Sequence, residues 1–373
     1  MRNNLKTILK LAIAAGLLYF FLLSIGLMGA AFKGFGSDFA KNLIKTTSNP
    51  FVGLLIGILA TSIVQSSSTT TSVVVGIVGS GGLTVSNAIP IIMGANIGTT
   101  VTNTLVSLGH IARRGEFKMA IGAATVHDFF NLICVAIMFP LELLTGFLEK
   151  SATLLSSAFQ NVGGIKFTSP VKIIIAPAVK SINSLSLAIF NSQKVAYIFM
   201  LVLSAVILFF ALYFIVKVMK SLVVERAEIV LNNVITKKGH LALLAGLLFT
   251  IMVQSSSITT SLLIPMVAAG IFTVESVFPI TLGANIGTTT TAILASFATG
   301  NISAVIIAFV HFLFNVIGVV FIYPIPICRR IPIKLANTLG IIASKKRRYA
   351  FIYVLTVFFI VPSLLICLSK FFR

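Results

Sequence analysis

Charged side chains are scarce in this sequence. Asp, Glu, Lys and Arg make up 10% of its 373 residues and hydrophobic side chains 57%, whereas soluble domains carry roughly 25% charged residues. This composition excludes a soluble globular enzyme. Several nearly uncharged stretches are about 20 residues long, and as helices they would cross a hydrocarbon layer of roughly 30 Å. The composition predicts an all-α polytopic membrane protein that lies in a lipid bilayer.

Acidic residues are few, with 8 Asp and Glu against 28 Lys and Arg. In a soluble chain this excess would indicate nucleic-acid binding, but here the basic residues lie between apolar segments, as the positive-inside rule predicts. We expect no nucleic-acid partner. Tryptophan is absent, so Phe and Tyr must form most of any aromatic belt at the membrane surface. The three cysteines are scattered, which predicts neither a disulfide framework nor a metal cluster.

About seven apolar segments are long enough to span the membrane fully. They are predicted near residues 9–32, 87–108, 118–140, 195–218, 277–298, 303–323 and 350–369. Residues 141–194 are more polar and contain five lysines and two prolines. Within them, residues 171–190 have the pattern of a helix lying flat at the membrane surface. We interpret 141–194 as an extracellular or interfacial linker between two halves.

An internal repeat is the strongest signal in the sequence. Shifting the chain by 189 residues places the sequence QSSS at 65–68 on QSSS at 254–257, and GANIGTT at 94–100 on GANIGTT at 283–289. Residues 57–108 and 246–297 share 27 identities in 52 positions. A third pair, His-x-x-x-Asn at 127–131 and 311–315, recurs at an offset of 184. The two halves are predicted to have arisen by duplication.

The QSSS motifs lie between apolar arms that are too short to cross the membrane. The arm at 51–64 has 14 residues, which as a helix is roughly 21 Å. We interpret 51–82 and 241–271 as re-entrant helical hairpins with QSSS at their tips, because non-helical backbone at membrane depth is tolerated where protein or water surrounds it. Pro265 and Gly270 predict an interruption in the second arm of the second hairpin.

Each half is predicted to consist of one span, one re-entrant hairpin and two further spans. Each half has an odd number of full spans, so the second half is expected to be inverted relative to the first. Of the 28 basic residues, 18 would then lie on the side of the N-terminus, which predicts a cytoplasmic N-terminus. The predicted domains are 1–140 (first repeat), 141–194 (linker), 195–323 (second inverted repeat) and 324–373 (basic cytoplasmic loop and terminal span).

The duplicated motifs carry the chemistry of a transport site. Two hairpin tips facing each other would offer serine hydroxyls, glutamine amides and backbone N–H groups, which suit a small oxyanion, and helix N-termini after each tip would add positive partial charge. The NIGTT segments offer amide and hydroxyl oxygens, which are ligands for a hard cation. Each motif taken singly also has a structural interpretation, as polar or small residues that pack membrane helices.

A few other polar residues are candidates for accessory roles. Asp128 is the acidic residue deepest within a predicted span, and intramembrane carboxylates are functional candidates by default. The duplicated pairs share a helix face, which favours hydrogen bonds between helices. The accessory candidates are Asp128, His127, Asn131, His311 and Asn315.

The paired QSSS hairpins followed by GANIGTT resemble the type II sodium/inorganic phosphate cotransporter family in its short bacterial form. The resemblance covers residues 51–323 and implies Na⁺-coupled symport of inorganic phosphate by alternating access, with a moving transport domain that carries the hairpins. The 141–194 segment has no cysteine, so the disulfide-bridged extracellular loop of the animal members is absent. The resemblance also implies a multi-pass protein of the bacterial inner membrane, with no cofactor other than Na⁺ as coupling ion and no catalytic residues.

The resemblance assigns site residues by motif. Phosphate would be bound by Ser66, Ser67, Ser68, Ser255, Ser256 and Ser257. Sodium would be bound by Gln65, Gln254, Asn96, Thr99, Thr100, Asn285, Thr288 and Thr289. A carrier of another small anion, such as sulfate or a carboxylate, coupled to sodium or protons, stays open as an alternative. A channel and a membrane enzyme are less consistent with the pattern, and the oligomeric state is left open, with a homodimer among the options.

Overall fold

The computed structural model describes residues 2–161, 170–235 and 239–371, and within these ranges it contains helices and no strands. Short 3₁₀ and π segments lie at Leu108–His110 and Thr356–Ile360. The α-helices are α1 (Arg2–Gly34), α2 (Ser37–Thr46), α3 (Pro50–Val64), α4 (Ser67–Ser80), α5 (Val85–Gly98), α6 (Val101–Ser107), α7 (Arg114–Thr145), α8 (Phe147–Asn161), α9 (Pro170–Ile189), α10 (Gln193–Ile235), α11 (Gly239–Val253), α12 (Ser256–Ala268), α13 (Val274–Thr299), α14 (Ile302–Ile322), α15 (Pro326–Lys345), α16 (Arg348–Leu355) and α17 (Val361–Phe371).

Eight helical stretches among the described residues are long and apolar enough to cross a membrane. Seven of them coincide with the segments predicted from hydropathy, which confirms the all-α polytopic class. The eighth is α9, which falls within the predicted linker. A ninth would be counted if α2 and α3, which are bent by 95° at their junction, formed one broken span.

Four shorter apolar helices form two pairs, α3 with α4 and α11 with α12. Each pair breaks at the glutamine of QSSS, and Gln65 (φ 56°) and Gln254 (φ 59°) are the non-glycine residues with positive φ in the described chain. A left-handed backbone at a residue with a side chain costs on the order of 1–2 kcal/mol, so the same strained turn recurs at both tips. The interruption expected at Pro265 is wrong: Pro265 lies inside α12, which continues to Ala268, because a helical proline removes one hydrogen bond and need not end the helix.

Each first arm packs backbone to backbone against the helix that follows its hairpin. A Cβ at Gly57 would overlap the carbonyl oxygen of Ile91, and a Cβ at Gly94 that of Leu54. The second half repeats these contacts at an offset of 189 residues, with glycines at 246 and 283. Only glycine allows this approach, which joins α3 to α5 and α11 to α13 as rigid pairs.

Helices α1 and α10 form an antiparallel pair. The Lys10 Nζ donates to the Ser221 carbonyl near one end, and Gly34 lies against the Tyr197 ring near the other. Helix α9 packs at this second end, where Ile175 and Val179 would each lie 3.0 Å from a Cβ at Gly26. The described contacts of α9 thus lie toward one end of the α1–α10 pair.

The basic segment predicted as a cytoplasmic loop is instead largely helical. Residues Ile333, Ala336, Gly340 and Ala343 of α15 are buried and recur every three or four residues, so they form one face of the helix. That face packs against α7, where a Cβ at Gly340 would overlap the Lys118 carbonyl oxygen. The lysines and arginines on the other face of α15 make this apolar pattern difficult to recognise in the sequence.

Candidate substrate site between the two hairpin tips

Both QSSS tips line one cavity of about 280 Å³. Helix α10 forms its remaining wall with apolar and aromatic side chains. The structure thus brings together eight of the predicted site residues. They form two groups of four that are 189 positions apart in the sequence. The lining residues are Val64, Gln65, Ser66, Ser67, Ser68, Thr69, Phe209, Leu212, Tyr213, Val216, Gln254, Ser255, Ser256, Ser257 and Ile258.

The first serine of each motif caps the helix that starts after the tip. The Ser66 Oγ accepts a hydrogen bond from the Thr69 N–H at 3.2 Å, and the Ser255 Oγ accepts one from the Ile258 N–H at 3.4 Å. Each capping hydroxyl keeps its own hydrogen to donate. The N–H groups of the next two serines have no partner within their helices. Two helix N-termini, with their positive partial charges, therefore border the same cavity.

The cavity is polar but uncharged. Its lining, as far as the structure describes it, contains no Asp, Glu, Lys, Arg or His. Hydroxyl and backbone N–H donors can bind an anion, but they cannot neutralise its charge. An anion entering this site must therefore bring a cation or rely on the two helix ends alone.

The two tip glutamines have different environments. The Gln254 amide donates to the Thr290 Oγ1 at 3.4 Å and its Oε1 accepts from the Thr291 hydroxyl at 2.9 Å. Gln65 is exposed, and the buried Thr102 hydroxyl, which corresponds to Thr291 at the repeat offset, has no hydrogen-bond partner. Thr290 and Thr291 lie just beyond the GANIGTT motif and were missed as site residues, although the repeat alignment of 102 with 291 is visible in the sequence.

Four buried asparagines connect the two halves. The Asn285 amide donates to the Asn131 Oδ1 at 2.9 Å, and the Asn315 amide donates to the Asn96 Oδ1 at 3.3 Å. The Asn131 amide also donates to the Asn96 carbonyl oxygen at 2.8 Å. These bonds agree with the predicted helix-to-helix role of Asn131 and Asn315. The first two link the GANIGTT helix of each half to the third element of the other, and the last lies within the first half.

The remaining sodium candidates are buried and do not line the cavity. Each threonine donates its hydroxyl to a backbone carbonyl three or four residues earlier in the chain, at distances of 2.7–3.0 Å. A hydroxyl that has donated its hydrogen presents only lone pairs to other ligands. The candidates in this group are Asn96, Thr99, Thr100, Asn285, Thr288 and Thr289.

The acidic candidate, Asp128, does not line the tip cavity, but its carboxyl interacts with the side chain of the sodium candidate Thr100. Asp128 is fully buried, and its Oδ2 accepts a hydrogen bond from the Tyr353 hydroxyl at 3.0 Å, so it contacts the C-terminal helices outside the repeat. His127 and His311 are also buried. The described residues contain no group of His, Cys, Asp and Glu that could hold a transition metal.

The chain resembles known proteins over nearly its whole length. The profile of a family described as Na⁺/Pi-cotransporter matches residues 20–148 and 207–321, which is more than half of the chain. The rat sodium-dependent phosphate transport protein 2A is 36% identical over 433 aligned positions, covering 97% of this chain and 68% of the relative. The human sodium-dependent phosphate transport protein 2B is 35% identical, covering 95% of this chain and 64% of the relative. No solved structure matches the chain.

Proposed function

Because the chain belongs to the Na⁺/Pi-cotransporter family, we propose that it carries inorganic phosphate across the membrane by symport with Na⁺. It is a multi-pass membrane protein and a transporter rather than an enzyme. The observation that carries the proposal is the cavity bordered by both QSSS tips, which is rich in donors and free of charged side chains in its described lining. Such a site favours an oxyanion that enters together with cations, because its donors bind the anion without neutralising its charge.

Phosphate binds in this cavity to the serines of the two tips. The capping hydroxyls of Ser66 and Ser255 donate their hydrogens, and the following serines add hydroxyl and backbone N–H donors. Donors thus converge from two helix N-termini, an arrangement that favours anions. The binding residues are Ser66, Ser67, Ser68, Ser255, Ser256 and Ser257.

Sodium binds to the oxygens behind the tips. The four threonines present lone pairs because their hydrogens are donated to backbone carbonyls, and hard cations prefer such hydroxyl and carbonyl oxygens. Side-chain amides complete the sites. The sodium ligands are drawn from Gln65, Gln254, Asn96, Thr99, Thr100, Asn285, Thr288 and Thr289, and no other cofactor is needed.

Alternating access is achieved by movement of the hairpin pairs as a body, in the manner of an elevator. The glycine contacts that join α3 to α5 and α11 to α13 support this unit, and the asparagine bonds connect its halves. The α10 wall is mostly apolar and offers few hydrogen bonds that would resist sliding. A disulfide between Leu212→Cys on α10 and Ile258→Cys on α12, two positions that line the cavity and are not assigned to phosphate binding, should stop uptake, and reduction should restore it. Full uptake by the cross-linked protein would count against this movement.

The two halves are inverted repeats with the N-terminus in the cytoplasm, in the inner membrane of a bacterial cell. The bias of 18 basic residues on the side of the N-terminus supports this orientation. The linker then lies on the extracellular side, where α9 covers one end of the α1–α10 pair.

The decisive experiment is uptake of labelled phosphate into proteoliposomes that contain the purified chain. We expect uptake to require an inward Na⁺ gradient and K⁺ not to replace it, because no charged residue of the described lining neutralises the anion. Equal uptake in Na⁺ and K⁺ at matched pH would contradict sodium coupling. Competition by excess sulfate or succinate that equals competition by unlabelled phosphate would instead indicate another anion as substrate.

A further inference from the structure

A second cavity, of about 340 Å³, lies away from the hairpin tips, between α1, α4, α9 and the end of α13. Its walls are mainly apolar, with Ile25 and Ala30 on one side and Ile175 and Val179 on the other. This volume is within the range of ordinary ligand sites, roughly 300–1,000 Å³. The cavity is separate from the phosphate and sodium positions proposed above.

Three lysines, Lys33, Lys172 and Lys180, line this apolar cavity. All three are exposed, and the described lining contains no Asp or Glu. They belong to the minority of basic residues that the predicted orientation places outside the cytoplasm, where the positive-inside rule gives no reason for them. Their convergence on one cavity indicates an anionic ligand.

A fourth polar group in the cavity identifies the ligand further. The Asn183 Oδ1 is buried and has no hydrogen-bond partner, and an unsatisfied buried acceptor costs roughly 1–3 kcal/mol. A carbonyl oxygen cannot bind the phosphodiester oxygens of a lipid, which carry no hydrogen, but it can accept a hydrogen from a hydroxyl. The ligand should carry both a negative phosphate and a hydroxyl donor.

The surroundings of the cavity are hydrophobic. On α9, Ile173 is 66% exposed, Ile174 63% and Leu185 60%, as expected for side chains that face acyl chains. Free phosphate would find little to bind on these walls, whereas a lipid would place its acyl chain against them. Basic pockets between membrane helices bind anionic lipid head groups on the cytoplasmic side of membranes, and the same attraction between lysine and lipid phosphate acts on the other side.

We infer that this cavity binds an anionic phospholipid of the phosphatidylglycerol type. The lysines hold the phosphate, Asn183 accepts a head-group hydroxyl and the apolar walls of α1 and α9 receive an acyl chain. The cavity includes Gly76, Gly79 and Ser80 of α4, so the lipid contacts an arm of the first hairpin. This binding site does not depend on the identity of the transported anion.

The test is the thermal unfolding of the full chain in detergent, titrated separately with phosphatidylglycerol, phosphatidylcholine and inorganic phosphate. We expect phosphatidylglycerol to raise the unfolding temperature and phosphatidylcholine not to. Stabilisation by inorganic phosphate should come from the hairpin tips and therefore be the same in the wild type and in a variant without the cavity lysines. A triple variant, Lys33→Gln, Lys172→Gln and Lys180→Gln, should bind phosphatidylglycerol on the order of 100-fold more weakly, since each lysine near an anionic lipid contributes about fivefold.

The matched control removes three lysines of the same predicted membrane face that do not line the cavity, with Lys41→Gln, Lys150→Gln and Lys194→Gln. It should bind like the wild type. A second variant blocks the cavity sterically: a Cβ at Gly29 meets nothing within 4 Å, so Gly29→Leu should fill the space and weaken lipid binding while all lysines remain.

Three results would overturn the inference. Equal stabilisation by phosphatidylcholine would mean that the cavity does not select charge. Stabilisation by inorganic phosphate, lost in the lysine variant, would make free phosphate the occupant. Unchanged lipid binding in Gly29→Leu would place the lipid elsewhere, and this variant decides the question even if the lysine variant does not fold. Because the readout is unfolding, a failure here differs from a failure of sodium-coupled uptake.

Discussion

Substitution of one tip serine should weaken phosphate transport without disturbing the hairpin. Ser67 and Ser256 are the best positions because they line the cavity and are only 5% and 3% exposed, whereas the helix caps are formed by the preceding serines. Ser67→Ala or Ser256→Ala removes one donor to a buried anion, which costs about 1.5–3 kcal/mol. The expected loss of phosphate affinity is roughly 10-fold to 150-fold.

The assay is sodium-driven uptake into proteoliposomes over a range of phosphate concentrations, normalised to inserted protein. Ser72→Ala is the matched control, since Ser72 lies on the same helix and its buried hydroxyl has no partner. That control should transport like the wild type. If both tip variants keep the same phosphate affinity and rate as Ser72→Ala, the tips are packing elements and the proposed phosphate site is wrong.

Two further predictions concern topology and packing. In a chain without its native cysteines, Thr84→Cys should react with an impermeant maleimide on intact cells, and Thr273→Cys only after the membrane is opened; labelling of both from one side would contradict inverted repeats. Gly283→Ala should lower the unfolding temperature, because its Cβ would overlap the Leu243 carbonyl oxygen and overpacking typically costs about 1–3 kcal/mol. Gly109→Ala should leave the unfolding temperature unchanged, because a Cβ there meets nothing within 4 Å. Equal effects of the two substitutions would refute the close-packing argument.

Much of this fold can be predicted because the lengths of the apolar segments and the internal repeat can be read directly from the sequence. The arms beside Gln65 and Gln254 are too short to span, and the repeat aligns them, so the positions of the breaks follow directly. Helix α15 was not predicted, since two prolines and many basic side chains conceal the buried face that includes Ile333.

The candidate site was only partly accessible to sequence reasoning. Convergence of the two tips could be expected from duplication, and the structure does bring them to one cavity. The different environments of Gln65 and Gln254 could not be predicted, because identical motifs do not indicate which partner each side chain meets. The α10 wall, including Tyr213, belongs to a long apolar helix in which no residue stands out before the chain is folded.

The asparagine contacts have a consequence for the origin of the chain. Asn96 of the first half pairs with Asn315, and Asn285 of the second half pairs with Asn131. Asn96 and Asn285 are equivalent positions of the repeat, as are Asn131 and Asn315, so the same contact between the halves is made twice. This reciprocity defines an isologous contact, the kind formed by identical subunits about a two-fold axis. A protein consisting of one half would bury two amides without these partners, and a second copy of itself would supply both. The internal interface has the pattern of a homodimer whose subunits became joined in a single polypeptide.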